Sequence, residues 1–455
     1  MQRKVHYIAI ISAIIVILVV ASILYLLVTG NNKLPKGTLT ISDSKGEVLA
    51  KVDNGSLIFD SNHKDYIENI LDEAIVCLSD KFSYKIKYEE LLESDIKITT
   101  YFSSEDFSVL KQGFNDFDFS DDKSAEIALC TTDGQLIATI GKSADSDCVI
   151  SRHKLGSAIK PLSVYAPALK EKIINWSYLV HDSPFKTVKA DGNNRDWPAN
   201  YENTYLNKDV TVAYALKKSL NTVPVKILDK LTSLKSCEFL ESVGIDVNYE
   251  KELSFDLYSH DNYGNLALGE LDTGVTCEQL AASFQIFANG GNYSPLRGIK
   301  KIVCAGETIY TDTTQKKAIL SGTQAEIMNL LLQGVIGEGG TAEKVGIDGL
   351  KIAGKTGTSE NYCDNWFVGL TPDYVCAVWY GYSSAQESRK ENLTVPVCRK
   401  VLSLLPRKNV DFPKTGRVTE KEFCVYTGLL ANENCFVTEI GYYVKENKPL
   451  VCRRH

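Results

Sequence analysis

Twenty-two consecutive residues, Tyr7 to Val28, carry no charge (YIAIISAIIVILVVASILYLLV). At about 1.5 Å per residue a helix of that length crosses a hydrocarbon core of roughly 30 Å. The run predicts a membrane anchor over 7–29, with residues 1–6 as a cytoplasmic tip. Arg3 and Lys4 precede it and favour a cytoplasmic N-terminus, although Lys33 and Lys36 stand on the other side. The competing reading is a cleaved secretory signal, whose apolar region is shorter (about 7–15 residues) and ends at small residues. This run is longer, and no A-x-A sequence follows it. The expected location is a single-pass cell-membrane protein with its body outside the cytoplasm.

Beyond the run, the chain has room for one large core and accessories. It holds 455 residues, 44% of them hydrophobic and 24% charged, as in globular proteins. Its net charge of -7 argues against a general binder of nucleic acid. No repeat, like-charge block or low-complexity tract stands out. Twelve cysteines form no C-x-x-C pair and the six histidines are scattered, so no metal site and no cofactor are expected. Most of these cysteines read as small buried hydrophobes. Cys424, Cys435 and Cys452 differ, because they cluster in a short polar tail where a staple is plausible; spacing alone does not give a pairing.

Residues 30–64 read as a polar juxtamembrane stalk with one hairpin, Thr38–Ile41 and Glu47–Ala50 around Asp43-Ser44-Lys45-Gly46. Residues 65–120 read as a linker subdomain, with helical spacing over 65–80 and alternation over 95–101. The main domain is expected over 121–410 and a cysteine-containing tail over 411–455. Within the domain, Ala125–Gly141 is a strand, a Thr-Thr-Asp-Gly turn and a second strand. Helical stretches follow Ser157 and cover 276–289 and 323–335. Strands then return at 350–354, 365–370 and 374–382, before a last helix around 396–405. Strands, helices, then strands again predict an α/β sheet with a helical subdomain inserted.

Three short motifs occur in order inside that domain: Ser157-Ala158-Ile159-Lys160, Ser219-Leu220-Asn221 and Lys355-Thr356-Gly357-Thr358. Each alone is weak; together they form a known signature of serine acyl-transfer sites. A serine hydroxyl needs an adjacent base to attack a carbonyl. Lys160, three residues on, shares a helix face with Ser157. It can be that base only if its charge is disfavoured, which burial and a second cation, Lys355, both achieve. Pro161 is tolerated because it falls in the first turn. The Ser219 hydroxyl can relay a proton to a leaving amine, and the Asn221 amide can orient the substrate or the base. Lys355 can hold a carboxylate, with Thr356 donating to it. Gly357 lets a substrate backbone come close. The backbone N–H groups of Ser157 and Thr358 can form an oxyanion hole.

From Leu155 onward, and more loosely from about Asp65, the chain resembles the transpeptidase domain of class A penicillin-binding proteins. The likeness rests on the three motifs and on HDSPF at 181–185, WPANYEN at 197–203, ALGELDTGVTCEQLAASFQIFANGG at 267–291, GGTAEKVG at 339–346 and AGKTGTSENYCDNWFVGLTPDYVCAVWYGY at 353–382. The tail from Cys424 to Cys435 is similar to the family's C-terminal cysteine segment. The resemblance implies the penicillin-binding/β-lactamase-like fold: an antiparallel five-stranded sheet flanked by helices, with an inserted all-helical subdomain. It implies a D,D-transpeptidase that cross-links peptidoglycan stem peptides through an acyl-enzyme on Ser157, with β-lactams acylating the same serine.

The chain departs from that family in three ways. Only about 35 residues separate the anchor from Asp65, and no E-D-x-x-F run is present, so the glycosyltransferase is expected to be a separate partner. Leu155 stands where proline is usual, and the Ser143–His153 stretch lacks the usual N-R-A sequence. Two alternatives accompany the reading. Water in place of the acceptor amine makes the enzyme a D,D-carboxypeptidase, and a retained pocket without turnover makes it a wall-binding scaffold. A β-lactamase is disfavoured, because no E-x-x-L-N deacylating loop follows Asn221 and residue 220 is leucine.

Overall fold

The computed structural model describes residues 33–117, 123–143, 151–190, 193–253, 263–359, 362–382, 392–409 and 411–454. The apolar run at 7–28 lies outside them. No helix among the described residues is long and apolar enough to cross a membrane.

Two compact units are drawn from interleaved stretches of the chain. The first takes residues up to Asp60, then Ile67–Thr100 and Ile299–Asp312. It is built on a six-stranded mixed sheet in the spatial order Glu307–Thr311, Ile299–Cys304, Ile96–Thr100, Thr40–Ser42, Val48–Asp53, Ser56–Phe59. The Thr40–Ser42 strand pairs in parallel with Ile96–Thr100, and every other neighbouring pair is antiparallel. In the helix Lys64–Phe82, Ile67, Ile70, Leu71, Ala74 and Leu78 are buried, the spacing of one helical face.

The second unit holds the motifs. Its sheet has five strands in the order Ala353–Thr358, Asp364–Leu370, Tyr374–Tyr382, Lys123–Thr131, Leu136–Ser143, all antiparallel. The middle strands read as continuous apolar runs because both faces are covered. Helix Cys277–Phe284 packs against the Tyr374–Tyr382 and Lys123–Thr131 strands. Its start is a capping box, in which the Thr276 hydroxyl accepts from the Gln279 N–H and the Gln279 side chain accepts from the Thr276 N–H. Helix Thr394–Leu404 packs on the Asp364–Leu370 strand, where a Cβ at Gly369 would sit 2.9 Å from Cys398 Sγ.

Two expectations need correction. One five-stranded antiparallel sheet does not describe the molecule, since the described residues also form a six-stranded mixed sheet in the first unit. The inserted region is not all-helical either. It contains the hairpin Lys186–Ala190 with Asn193–Trp197 and the pair Leu179–His181 with Asp209–Thr211, and it supplies Ile299–Cys304 and Glu307–Thr311 to the first unit. These strands are short, and the Asn193–Trp197 strand is nearly all exposed and polar, so apolar alternation never marks it.

Candidate active site

The segment that carries Ser157 is wound unevenly. Gly156–Ile159 is a 3₁₀ turn, Pro161–Tyr165 a π turn, and Ala166–Lys170 an α-helix. Pro161 opens the second turn, where its missing N–H costs no bond. From Leu162 to Leu169 every residue is buried, so the element is apolar all round and central to its unit. Turns of π type inside helices recur at functional sites.

Backbone contacts fix the start of this element. Gly156 has φ +51, and its N–H donates to the Gly269 carbonyl at 3.1 Å. A Cβ on Gly156 would meet Thr358 O at 2.2 Å, and one on Gly357 would meet Leu155 O at 2.3 Å. Three glycine-lined backbones therefore converge on the residue before Ser157. Trp366 adds a side-chain tie, donating its Nε1–H to the Lys154 carbonyl at 2.8 Å.

Lys160 follows one turn later and is fully buried. Its Nζ donates to Ser219 O at 3.0 Å, Leu220 O at 3.0 Å and Asn221 Oδ1 at 2.6 Å. All three protons of the ammonium are thus matched by acceptors. Burial, and then the charge of Lys355, push its pKa well below the ordinary lysine range. Lys355 is also fully buried, and burial lowers its pKa to about 7. Lys355 Nζ donates to Ser219 Oγ at 2.8 Å and to the Thr356 carbonyl at 2.9 Å.

The Ser219-Leu220-Asn221 segment joins helix Val212–Lys217 to helix Thr222–Leu231. Ser219 has φ +56, a left-handed conformation that costs a non-glycine residue roughly 1 kcal/mol or more. Its N–H donates to Leu216 O and the next N–H to Ala215 O, closing the helix end. That turn presents the Ser219 and Leu220 carbonyls to Lys160 and the Ser219 hydroxyl to Lys355.

On the Ala353–Thr358 strand, Lys355 stands opposite Val368 and Gly357 opposite Trp366, so both share the face that meets the Ser157 turn. This strand is the outer one of its sheet, and the edge of an outer strand is where an extended peptide can pair. Thr356 Oγ1 is 2.9 Å from Thr341 Oγ1. Thr358 pairs with Asn365 at the strand's end, and its backbone nitrogen lies beside Gly156. The eight residues singled out from the motifs are thus gathered at one edge of one sheet.

A buried layer behind Asn221 was not assigned any role from sequence. Asp182 Oδ1 accepts from Asn200 Nδ2 at 2.8 Å and from Thr222 Oγ1 at 2.6 Å, while its Oδ2 accepts from the Leu206 N–H at 2.8 Å. Asn200 Oδ1 in turn accepts from the Asn221 N–H at 2.8 Å, and Asn221 Nδ2 donates to Ala199 O at 2.7 Å. Asp182 is fully buried and Asn200 nearly so. The segments HDSPF and WPANYEN carry these residues, so they were visible as runs, but nothing in a run says which distant side chain it holds.

A strained serine thus contacts two buried lysines beside the outer strand of an antiparallel sheet. Comparison with known proteins gives the family. The profile of the penicillin binding protein transpeptidase domain matches residues 125–402. Penicillin-binding protein 1A of Clostridium acetobutylicum is 32% identical over 231 residues, which is 50% of this chain and 27% of that protein. Penicillin-binding protein 1A of Streptococcus oralis is 27% identical over 389 residues, 77% of this chain and 57% of that protein. Among solved structures, penicillin-binding protein 1A from Haemophilus influenzae aligns with a TM-score of 0.67 at 16% identity, covering 85% of this chain and 76% of that one. PonA1 from Mycobacterium tuberculosis, in complex with penicillin V, aligns with a TM-score of 0.64 at 21% identity, covering 78% and 96%. At such identities these structures speak for the fold. The chain belongs to the penicillin-binding protein transpeptidase family. It spans about a quarter of the length of the first curated relatives it matches.

Proposed function

We propose that this protein is a D,D-transpeptidase that cross-links peptidoglycan stem peptides and binds penicillins covalently. The observation that carries the reading is the pair of buried lysines flanking Ser219, one joined to Asn221 and the other to the Ser219 hydroxyl. In this reading neutral Lys160 takes the proton of Ser157 Oγ. The oxygen bonds to the carbonyl carbon of the penultimate D-alanine, and the peptide C–N bond breaks. The Ser157 and Thr358 N–H groups hold the oxyanion. Ser219 passes its proton to the leaving D-alanine and takes one from Lys355, which donates to its hydroxyl. The substrate's terminal carboxylate pairs with Lys355 and Thr356, and its backbone lies along the free strand edge at Gly357. An amine from a second stem then attacks the ester, a C–N bond forms, and Ser157 leaves with a proton.

A protonated Lys160 has no lone pair to offer, and burial with Lys355 nearby favours its neutral form. Loss of one proton frees it, and Asn221 Oδ1, the shortest contact, then holds the remaining N–H in place. The anchor over 7–29 puts the site outside the cytoplasm in this reading, and a separate glycosyltransferase supplies glycan strands.

The test is labelling of the purified chain by a fluorescent penicillin, with Ser157→Ala as the control. Label that survives the substitution would falsify the nucleophile. Glycan strands made by an added polymerase then separate the outcomes: dimeric stem peptides support cross-linking, and free tetrapeptide alone supports the carboxypeptidase reading.

A further inference from the structure

Cys424, Cys435 and Cys452 come from three separate segments of the tail, yet their sulfur atoms all lie within 4.8 Å of one another. Cys424 ends the strand Thr419–Cys424, which pairs with Thr438–Tyr443 and bridges Leu430 through Phe423. Cys435 closes the turn that starts at Asn432, through Cys435 N–H to Asn432 O. Cys452 is held by its N–H to Leu430 O at 2.8 Å, and by Asn432 Nδ2 donating to the Cys452 carbonyl at 2.8 Å. Cys424 and Cys452 are buried and Cys435 is half-buried. We infer that these three thiols form a binding site for a soft or borderline divalent cation, zinc above all, which staples the tail.

Three observations favour a metal over a cross-link. A disulfide uses two sulfurs and leaves the third beside the bond, poised for thiol exchange; a cation uses all three alike. In a tetrahedral zinc–thiolate site with bonds of about 2.3 Å, sulfur atoms lie roughly 3.7 Å apart, a spacing compatible with three sulfurs all within 4.8 Å of one another. Donors also point at the sulfurs. The Asn432 N–H reaches Cys435 Sγ at 3.4 Å, and the Thr427 hydroxyl reaches Cys452 Sγ at 3.5 Å. Such donors stabilise a thiolate, the ligating form, and do little for a disulfide. On binding, each thiol releases its proton to solvent and the sulfur bonds to the cation. The fourth position falls to water or another donor. His455 follows Cys452 at a C-x-x-H spacing in the sequence, but lies outside the described residues and is not counted as a ligand.

The tail has a use for such a site. Its hairpin exposes most of its residues, and a lone two-stranded hairpin is marginal in water. The tail meets the rest of its unit at a few points: Ser177 Oγ donates to Gly428 O at 2.6 Å and accepts from Tyr443 OH at 2.7 Å, Asn447 Nδ2 donates to Ile174 O at 2.9 Å, and the Tyr442 ring lies 4.8 Å from that of Trp176.

The experiment takes the full chain, purified in detergent without chelator and dialysed, and counts zinc by mass spectrometry of the elements. About one zinc per chain is expected, falling below about a tenth in Cys435→Ser and Cys424→Ser. Cobalt exchanged into the site should show a thiolate-to-metal charge-transfer band. Penicillin labelling of the same samples reports whether each variant is folded. Cys435→Ser, at the least buried of the three, preserves packing if Cys424→Ser does not. The inference is overturned if non-reducing peptide mapping finds any two of the three joined as a disulfide. It is equally overturned if a labelled, folded chain holds no zinc and takes up none when zinc is added, or if zinc stays bound in both serine variants.

Discussion

Lys160 Nζ and Asn221 Oδ1 stand 2.6 Å apart, the shortest of the three contacts that the buried ammonium makes. A neutral acceptor there orients the lysine without adding a charge. Asn221→Asp would place a carboxylate at the same spot and favour the protonated lysine. The expected result is a fall of about 10²-fold in the rate of penicillin acylation at pH 7, because a general base is worth at least that much. The rate should recover as pH rises. Stopped-flow acylation from pH 6 to 10 reads both effects, and an unchanged pH profile would refute the role of Asn221.

Lys355 gives a prediction about stability. Burial lowers its pKa from 10.5 to about 7, so the unfolded chain holds the proton more tightly than the folded one. The penalty is full below pH 7 and vanishes above the unfolded value. Lys355→Met should therefore stabilise the fold, raising Tm by about 2–6 °C at pH 6.5 and by little at pH 10. The same variant should lose acylation. Melting curves at the two pH values test the sign.

Catalysis should also depend on pH through Lys355. Its charge, which in the proposed function holds a substrate carboxylate, fades as pH climbs through about 7. The KM of a D-Ala-D-Ala peptide is expected to rise above that pH. That of an analogue amidated at the C-terminus, already weak, should stay flat. Steady-state kinetics on the two peptides provide the comparison.

Gly357 leaves no room for a side chain, since an added Cβ would lie 2.3 Å from Leu155 O and 2.8 Å from the Ala158 Cβ. Gly357→Ala should cost about 1–3 kcal/mol of stability as an overpacked site. It should slow acylation by about 10²-fold, because the displaced turn carries Ser157. Denaturant melts and penicillin labelling separate the two losses. An active Gly357→Ala chain would show that strand and turn can part.

Asp182 lies behind the reacting groups and accepts three hydrogen bonds while buried. Removing it leaves Asn200, Thr222 and the Leu206 N–H short of a partner. Asp182→Ala is expected to destabilise by about 2–4 kcal/mol. Acylation should also slow in whatever fraction remains folded, because Asn200 holds the Asn221 backbone. Equal acylation per folded molecule would confine Asp182 to stability.

Much of the site was legible because its chemistry is written locally. Ser157 and Lys160 need a one-turn spacing, and Lys355 and Gly357 need strand alternation; both are short-range patterns. Four of the five strands around them were equally plain; the fifth was expected at 350–354 from its apolar residues, whereas the strand is Ala353–Thr358, AGKTGT, which carries the motif itself. The polar layer of Asp182, Asn200 and Thr222 was not legible, since its bonds join residues 18 to 40 positions apart. Cys424, Cys435 and Cys452 stood out as a group in the tail, but the meeting of all three thiols at one point did not; folding of the tail brings it about. The second sheet escaped for a related reason. Ile299–Cys304 looks like any short strand, and nothing near it in sequence reveals that its partner is Ile96–Thr100.

That pairing sets an order of events during synthesis. The six-stranded sheet is complete only when residues 299–312 have been made. At about 5–20 residues per second, the stretch between Thr100 and Ile299 occupies a ribosome for roughly 10–40 s. Throughout that interval the Ile96–Thr100 strand has an open edge facing where Ile299–Cys304 will dock, the kind of surface that recruits foreign strands. The N-terminal unit of this protein therefore cannot finish folding first, although its residues emerge first. Its maturation waits on the catalytic chain threaded between its two halves.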